Sequence, residues 1–229
     1  MIDLLIAAAV ASAAPQGSAC PQLVTPDALV CHALDAQEDG DLEAAAQAFE
    51  EAAKASSESD PKTARLWAAA GNMWIAAKQP GKAALDLDRA LSMKGLEAEQ
   101  RGEALLDRAR AAEAQDDLKT ARAKANEAAQ TVSGDPFYWY FSAALAIREN
   151  DPTTAQTSIS RALSLAPSDA TILFEAGHVA HFTGDDDKAR GYWMRAAASD
   201  NGEIGKAAAK AVEMLGVTPT VKLDSAQPK

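Results

Sequence analysis

WAAAGNMW at residues 67–74, followed by KAALDLDRALSM at 82–93, decides how this chain folds. In the first segment Trp67, Ala70, Gly71 and Trp74 recur at spacings that occupy one face of an α-helix. In the second, Ala83, Leu87 and Ala90 do the same. Small residues sit where two helices must approach closely, and large ones fill the gap beside them. Pro80-Gly81 lies between the two segments and marks a turn, so together they form a helical hairpin.

Outward from this hairpin the pattern recurs. EAAAQAFEEAAK, TARAKANEAAQT, TAQTSISRALSL and KARGYWMRAAAS align on KAALDLDRALSM through Ala45, Ala83, Ala121, Ala155 and Ala189. Those alanines are separated by 38, 38, 34 and 34 residues. Each is followed four positions later by Phe49, Leu87, Ala125, Ile159 or Trp193, and three further on by Ala52, Ala90, Ala128, Ala162 or Ala196. A period of this length is the mark of a stacked helical repeat.

The residues resemble the tetratricopeptide repeat, whose signature runs W-x2-L-G-x2-Y, then A-x3-F, then Pro. Trp67, Gly71, Trp74, Ala83, Leu87 and Ala90 carry the likeness in the second unit. Trp139, Ala143, Ala155, Ile159, Ala162 and Pro167 carry it in the fourth, and Gly177, Gly184, Ala189, Trp193 and Ala196 in the fifth. The first unit keeps Gly40, Ala45, Phe49 and Ala52 but has Leu29 and Ala33 in a weaker opening helix, whereas the third has Leu105, Ala109 and Ala121 and no aromatic residue. The resemblance covers roughly residues 27–200. It implies an all-α, right-handed superhelix of about five helix-turn-helix units.

Each 38-residue step exceeds the usual 34 by about one helical turn, which keeps the same face inward. Either a helix in each of the first two units is longer, or the connections at SSESDPK and MKGLEAEQRGE are. Asp60-Pro61, Gly134-Asp135-Pro136 and Ala166-Pro167-Ser168 separate units, because proline starts helices well and cannot continue them. Gly40, Asn150-Asp151-Pro152 and Gly184 mark further turns within units. EIGKAAAKAVEMLG reads as one more amphipathic helix, from about Glu203 to Leu215, that caps the open end of the stack. The expected division is a signal peptide at 1–13, a linker at 14–26, the repeat domain with its capping helix at 27–215 and a disordered tail at 216–229.

With 22 basic and 33 acidic residues, the chain carries a net charge of -11 and repels phosphate backbones and anionic lipid. Nucleic acid is therefore not an expected partner. The apolar stretch from Leu4 to about Ala11 has the length of a signal-peptide core and is too short to span a bilayer. Ala11 and Ala13 fit the small-x-small cleavage rule, although Asp3 is the only charged side chain before the apolar core. Export to a periplasm or beyond is the expected localisation, without membrane insertion of the mature chain. Cys20 and Cys31 could then close a short disulfide loop that pins the N-terminal segment to the first helix. A lipoprotein reading of Cys20 fits poorly, because Gly17 stands where a large aliphatic residue belongs.

Catalysis finds little support. No serine lies in a Gly-x-Ser-x-Gly setting, and around Gly81-Lys82 the phosphate-loop pattern fails at Ala76 and Ala83. No dinucleotide fingerprint occurs, so no cofactor is expected. Glu175, His178 and His181 follow one another at three-residue intervals and could converge on a metal, but no further ligand accompanies them. Asp185, Asp186 and Asp187, like Asp39 and Asp41, read as helix-capping residues.

In proteins of this resemblance, the first helices of successive units line a concave surface. That geometry implies a groove from Arg65, Ala69 and Asn72 through Asp107 and Arg110 to Phe137, Tyr140, Phe141, Ala144 and Arg148. Phe174, Glu175, His178 and His181 complete it. The groove is expected to be polar at one end and aromatic at the other, with Trp139 packed inside and Tyr140, Phe141, Phe174 and Arg148 as anchors; the alternative is that Tyr140 and Phe141 are buried between neighbouring units as core. A carboxylate-gripping mode known in the family is not supported, since Asn72 is kept but Ala68, Asp107 and Phe141 stand at the related places. The expected function is an exported, non-catalytic module binding a protein or peptide. The alternatives are a self-associating envelope scaffold, with a homo-oligomer left open, and a metal-binding protein using Glu175, His178 and His181.

Overall fold

The computed structural model describes residues 20–199 and 202–216. The expected signal peptide, residues 14–19 of the expected linker and nearly all of the expected tail lie outside the described residues. Among the described residues there are helices and no strand.

Five antiparallel hairpins follow one another, then a final helix. The first is α1 (Pro26–Glu38) with α2 (Leu42–Ala55), and the second α3 (Pro61–Ala76) with α4 (Pro80–Ser92). The third is α5 (Ala98–Glu113) with α6 (Leu118–Val132), and the fourth α7 (Pro136–Arg148) with α8 (Pro152–Leu165). The fifth is α9 (Ala170–Phe182) with α10 (Asp186–Ala197), and α11 (Gly202–Gly216) packs on it. The chain is thus an all-α repeat solenoid. The extra turn falls in α3 and α5, which have 16 residues where α1, α7 and α9 have 13. The lengthened units are therefore the second and third, not the first two.

The five aligned alanines, Ala45, Ala83, Ala121, Ala155 and Ala189, are all 0% exposed. Their partners on the stripe are buried too, from Phe49 and Leu87 to Ala125, Ile159 and Trp193. The close approach is enforced by volume. A Cβ at Gly71 would meet Leu87 Cγ at 2.5 Å, and one at Gly177 would collide with the Trp193 indole. The apolar interior runs as a string of clusters along the stack, each shared by neighbouring units.

Caps explain much of the acidic excess. Thr25, Asp41, Asp60, Asp117, Asp135, Asp151, Asp169 and Asp185 each accept a backbone N–H at the start of a helix. A carboxylate at this place satisfies an otherwise unpaired donor and faces the positive end of the helix dipole. Hydrogen bonds from the Thr120 hydroxyl and backbone N–H hold Asp117 below its ordinary pKa, and Thr154 and Lys188 do the same for Asp151 and Asp185.

Every turn inside a unit carries one residue in the left-handed region: Gly40, Lys78, Asp116, Asn150 and Gly184, with φ from 57° to 83°. The residue after each donates back to the final turn of the first helix, as in Gln79 N to Trp74 O at 2.8 Å and Asp185 N to Ala180 O at 2.9 Å. This closure satisfies the last carbonyls of the helix. In the second unit the reversal sits at Lys78, so Pro80-Gly81 opens α4 and does not form the turn.

Candidate functional site

The first helices α3, α5, α7 and α9 place the expected groove residues in a row across four units. From α3, Asn72 Nδ2 donates to Asp107 Oδ2 on α5 at 2.7 Å. On α5, Arg110 donates to Asp107 Oδ1 at 2.9 Å, and its guanidinium lies 5.4 Å from the centre of the Phe137 ring of α7. Phe137 is 37% exposed, and its ring centre is 5.4 Å from that of Tyr140. Burial raises the pKa of the Tyr140 hydroxyl, helped by the nearby negative charge of Glu175 on α9. Phe174 and His178 meet edge to face at 4.4 Å, and His178 Nδ1 is 3.3 Å from Glu175 Oε2. Polar groups from α3 and α5 thus lead into aromatic groups from α7 and α9.

A cavity of about 300 Å³ opens between α3 and α5, with Arg65, Asn72, Gln100, Glu103 and Asp107 on its polar side and Phe49 among its apolar lining. Burial raises the Glu103 carboxyl, and the charges of Glu99, Asp107 and Asp135 push it further the same way. Several carboxylates thus gather at the polar side of this cavity, around Glu103.

Three expected groove residues are placed otherwise. Phe141 is 6% exposed and packs with Leu105, Leu106, Tyr138 and Leu145 between the third and fourth units, so it is core and not a surface anchor. The physical reason is the small stripe of α6, where Ala121, Ala125 and Ala128 leave space that the Phe141 ring fills together with Leu105 and Leu106. Glu175 is likewise buried. Arg148 is engaged at the turn of the third unit, donating to Glu113 O at 2.8 Å, to the Glu113 carboxylate, and to Asp116 Oδ1 at 2.6 Å. Trp139 is half-buried, and its indole N–H donates to Ser133 O.

Glu175, His178 and His181 do not converge as a metal triad. His181 turns to Asp186 at 2.7 Å, while His178 stays with Glu175. Among the described residues, the His, Cys, Asp and Glu side chains that do cluster closely are Cys20, His32 and Asp35. Cys20 and Cys31 are joined by a disulfide, as the oxidised reading expects.

Sequence reasoning missed an outer cavity of about 850 Å³ flanked by α2, α3 and α4. Trp67 lines it, with Arg89 4.6 Å and Lys54 5.8 Å from its ring centre. The tryptophan repeats the packing pattern, so nothing in the sequence alone separates its cationic neighbours from ordinary solvated lysines and arginines.

The stacked hairpins and the row of side chains along their first helices define a helical-repeat protein. A profile described as "Tetratricopeptide repeat" matches residues 32–95 and 143–211, which is more than half of the chain, and the chain belongs to this family. A comparison with curated proteins gives no match. Among solved structures, PilF of Pseudomonas aeruginosa is similar at 17% identity and a TM-score of 0.63, covering 82% of either chain. YrrB, described as a tetratricopeptide-repeat protein with an unusual peptide-binding site, is 17% identical with a TM-score of 0.57, covering 80% of this chain and 91% of its own. MamA from Desulfovibrio magneticus RS-1 is 13% identical with a TM-score of 0.62, covering 80% of this chain and 96% of its own. At these identities the likeness establishes the fold.

Proposed function

We propose that this protein is an exported, non-catalytic interaction module that holds a peptide or protein segment along the row from Arg65 to His178. The observation that carries the reading is the continuous sequence of polar and then aromatic contacts across three units, from Asn72 and Asp107 through Arg110 to Phe137 and Tyr140. Ordered aromatic and arginine side chains on a preformed surface are suited to binding, because little entropy is lost in arranging them. The negative potential at Glu103 favours a partner that carries a basic residue beside an apolar or aromatic one. Peptide binding by YrrB is consistent with such a use of the fold. Export is supported by the apolar pattern of the first residues and by the Cys20–Cys31 bond, which persists in oxidising compartments.

A peptide-display selection on the purified protein tests the groove. Enriched peptides should lose at least tenfold in affinity when Arg110→Ala is combined with Tyr140→Ala, while the helical circular dichroism stays unchanged. Peptides bound equally by this double variant would place recognition elsewhere. Fractionation of cells making the full chain tests export; a full-length product confined to the cytoplasm would remove that part of the reading.

A second reading has its own surface. Met194 on α10 and Met214 on α11 are 59% and 65% exposed, which offers apolar area for self-association. A single monomeric species in light scattering at high concentration would exclude it.

A further inference from the structure

The segment entering α1 holds a cluster that the groove does not use. Cys20 Sγ, a ring nitrogen of His32 and a carboxylate oxygen of Asp35 lie within 4.8 Å of one another. Cys31 Sγ adjoins this group through its bond to Cys20, across a Cα–Cα distance of 5.7 Å, without lying within the same 4.8 Å of every member. Cys31, His32 and Asp35 occupy little more than one turn of α1, whereas Cys20 reaches them from the preceding segment. Two sulfurs, an imidazole and a carboxylate form a donor set suited to zinc.

Two contacts strengthen this assignment. His32 Nε2 lies 3.0 Å from Pro21 O. Donation to that carbonyl sets the tautomer and leaves a lone pair on Nδ1, so that one ring nitrogen is oriented by the backbone and the other is able to bind a metal. Cys20 Sγ is 2.9 Å from Asp35 Oδ2. A disulfide sulfur has no hydrogen to donate, so in the oxidised protein this is a close approach of two electron-rich atoms. A thiol proton, or a metal ion, would turn it into an attraction.

We propose that reduction of the Cys20–Cys31 bond converts this staple into a zinc site with Cys20, Cys31, His32 and Asp35 as ligands, pinning the N-terminal segment to α1 in either redox state. A dithiol reductant transfers two electrons and two protons to the disulfide and leaves as its own disulfide, giving two thiols. Zinc displaces those two protons to solvent and binds the thiolates. Exchange with a small disulfide reverses the change: the Cys20–Cys31 bond re-forms, two small thiolates leave and the ion is released.

The test uses the full chain, purified oxidised or reduced with a phosphine, and titrated with zinc against a chromophoric chelator. One zinc per reduced chain is expected, bound at least 100-fold more tightly than by the oxidised chain. His32→Ala and Asp35→Asn should each weaken binding by at least tenfold in the reduced state. Both variants keep the disulfide, so their oxidised circular dichroism and melting temperature check that they fold. Cobalt added to the reduced chain should give the charge-transfer absorption of thiolate ligands. Equal zinc affinity in the two redox states, or full affinity in His32→Ala, overturns the proposal.

Discussion

The second and third units bury the same helical stripe by opposite means. In the second, Trp67, Trp74 and Leu87 fill the space between α3 and α4 from within the unit. In the third, α6 offers Ala121, Ala125 and Ala128, and the missing volume is supplied by Tyr138 and Phe141 of α7. A unit with a sparse signature is therefore not a weak one. Its stability is placed at the interface with its neighbour, as expected for a stack in which each repeat contacts only the next.

Removing the borrowed ring is the strongest way to break this comparison. Phe141→Ala should cost about 3–5 kcal/mol, the range for truncating a buried aromatic side chain, read as a loss in thermal or urea stability. Tyr140→Ala, half-buried on the same helix, should cost less than half as much. Equal losses would mean that the junction does not depend on the buried ring.

An intermediate effect is expected in the second unit. Asp86 is 2% exposed, and its Oδ2 has no hydrogen-bond partner among the described residues. Burial, followed by the negative charge of Glu50, raises its pKa to about 6. The folded state then binds a proton that the unfolded chain binds only near pH 4. Stability should thus rise as pH falls from 8 to about 5, by on the order of 2 kcal/mol, and the gain is lost again as pH rises through 6. Burial works against the Glu50 carboxylate, but hydrogen bonds from Lys54 and Trp74 outweigh it and hold its pKa below the ordinary value. Its contribution is lost only at lower pH. Asp86→Asn should flatten the profile between pH 5 and 8; an unchanged slope would assign the pH dependence to other groups.

The smallest effect sharpens the comparison at the turns. Asp116 holds a φ of 63° in the third unit, where the first and fifth units use glycine. Asp116→Gly should raise stability by about 0.5–1 kcal/mol in a chemical melt, because the left-handed conformation strains a side-chain-bearing residue. A loss of stability would show that the ion pair from Arg148 to Asp116 outweighs that strain.

These differences explain what could be read from the chain alone. The alanine register is legible because close helix contact excludes anything larger, so Ala45, Ala83 and Ala155 recur at full burial. Turns at Gly40, Asn150 and Gly184 are legible because those residues tolerate the left-handed conformation. Lys78 and Asp116 carry no such mark, and the neighbouring Pro80-Gly81 draws attention to the wrong place. The aromatic run from Phe137 to Phe141 could not be divided between groove and core, because which rings turn inward depends on volume missing from another unit. The disulfide is legible as a pair of cysteines at short separation. Its surroundings are not, because the Pro21 carbonyl that meets His32 belongs to the backbone.

The substantial contacts between helices join elements no more than two apart along the chain. No early segment has to wait for a distant one before it can bury its apolar face. Structure can therefore grow in the order of synthesis, one hairpin on the last, and a chain halted after the fourth hairpin, with the Tyr138 and Phe141 rings already in place beside α6, would be a shorter stack of the same kind.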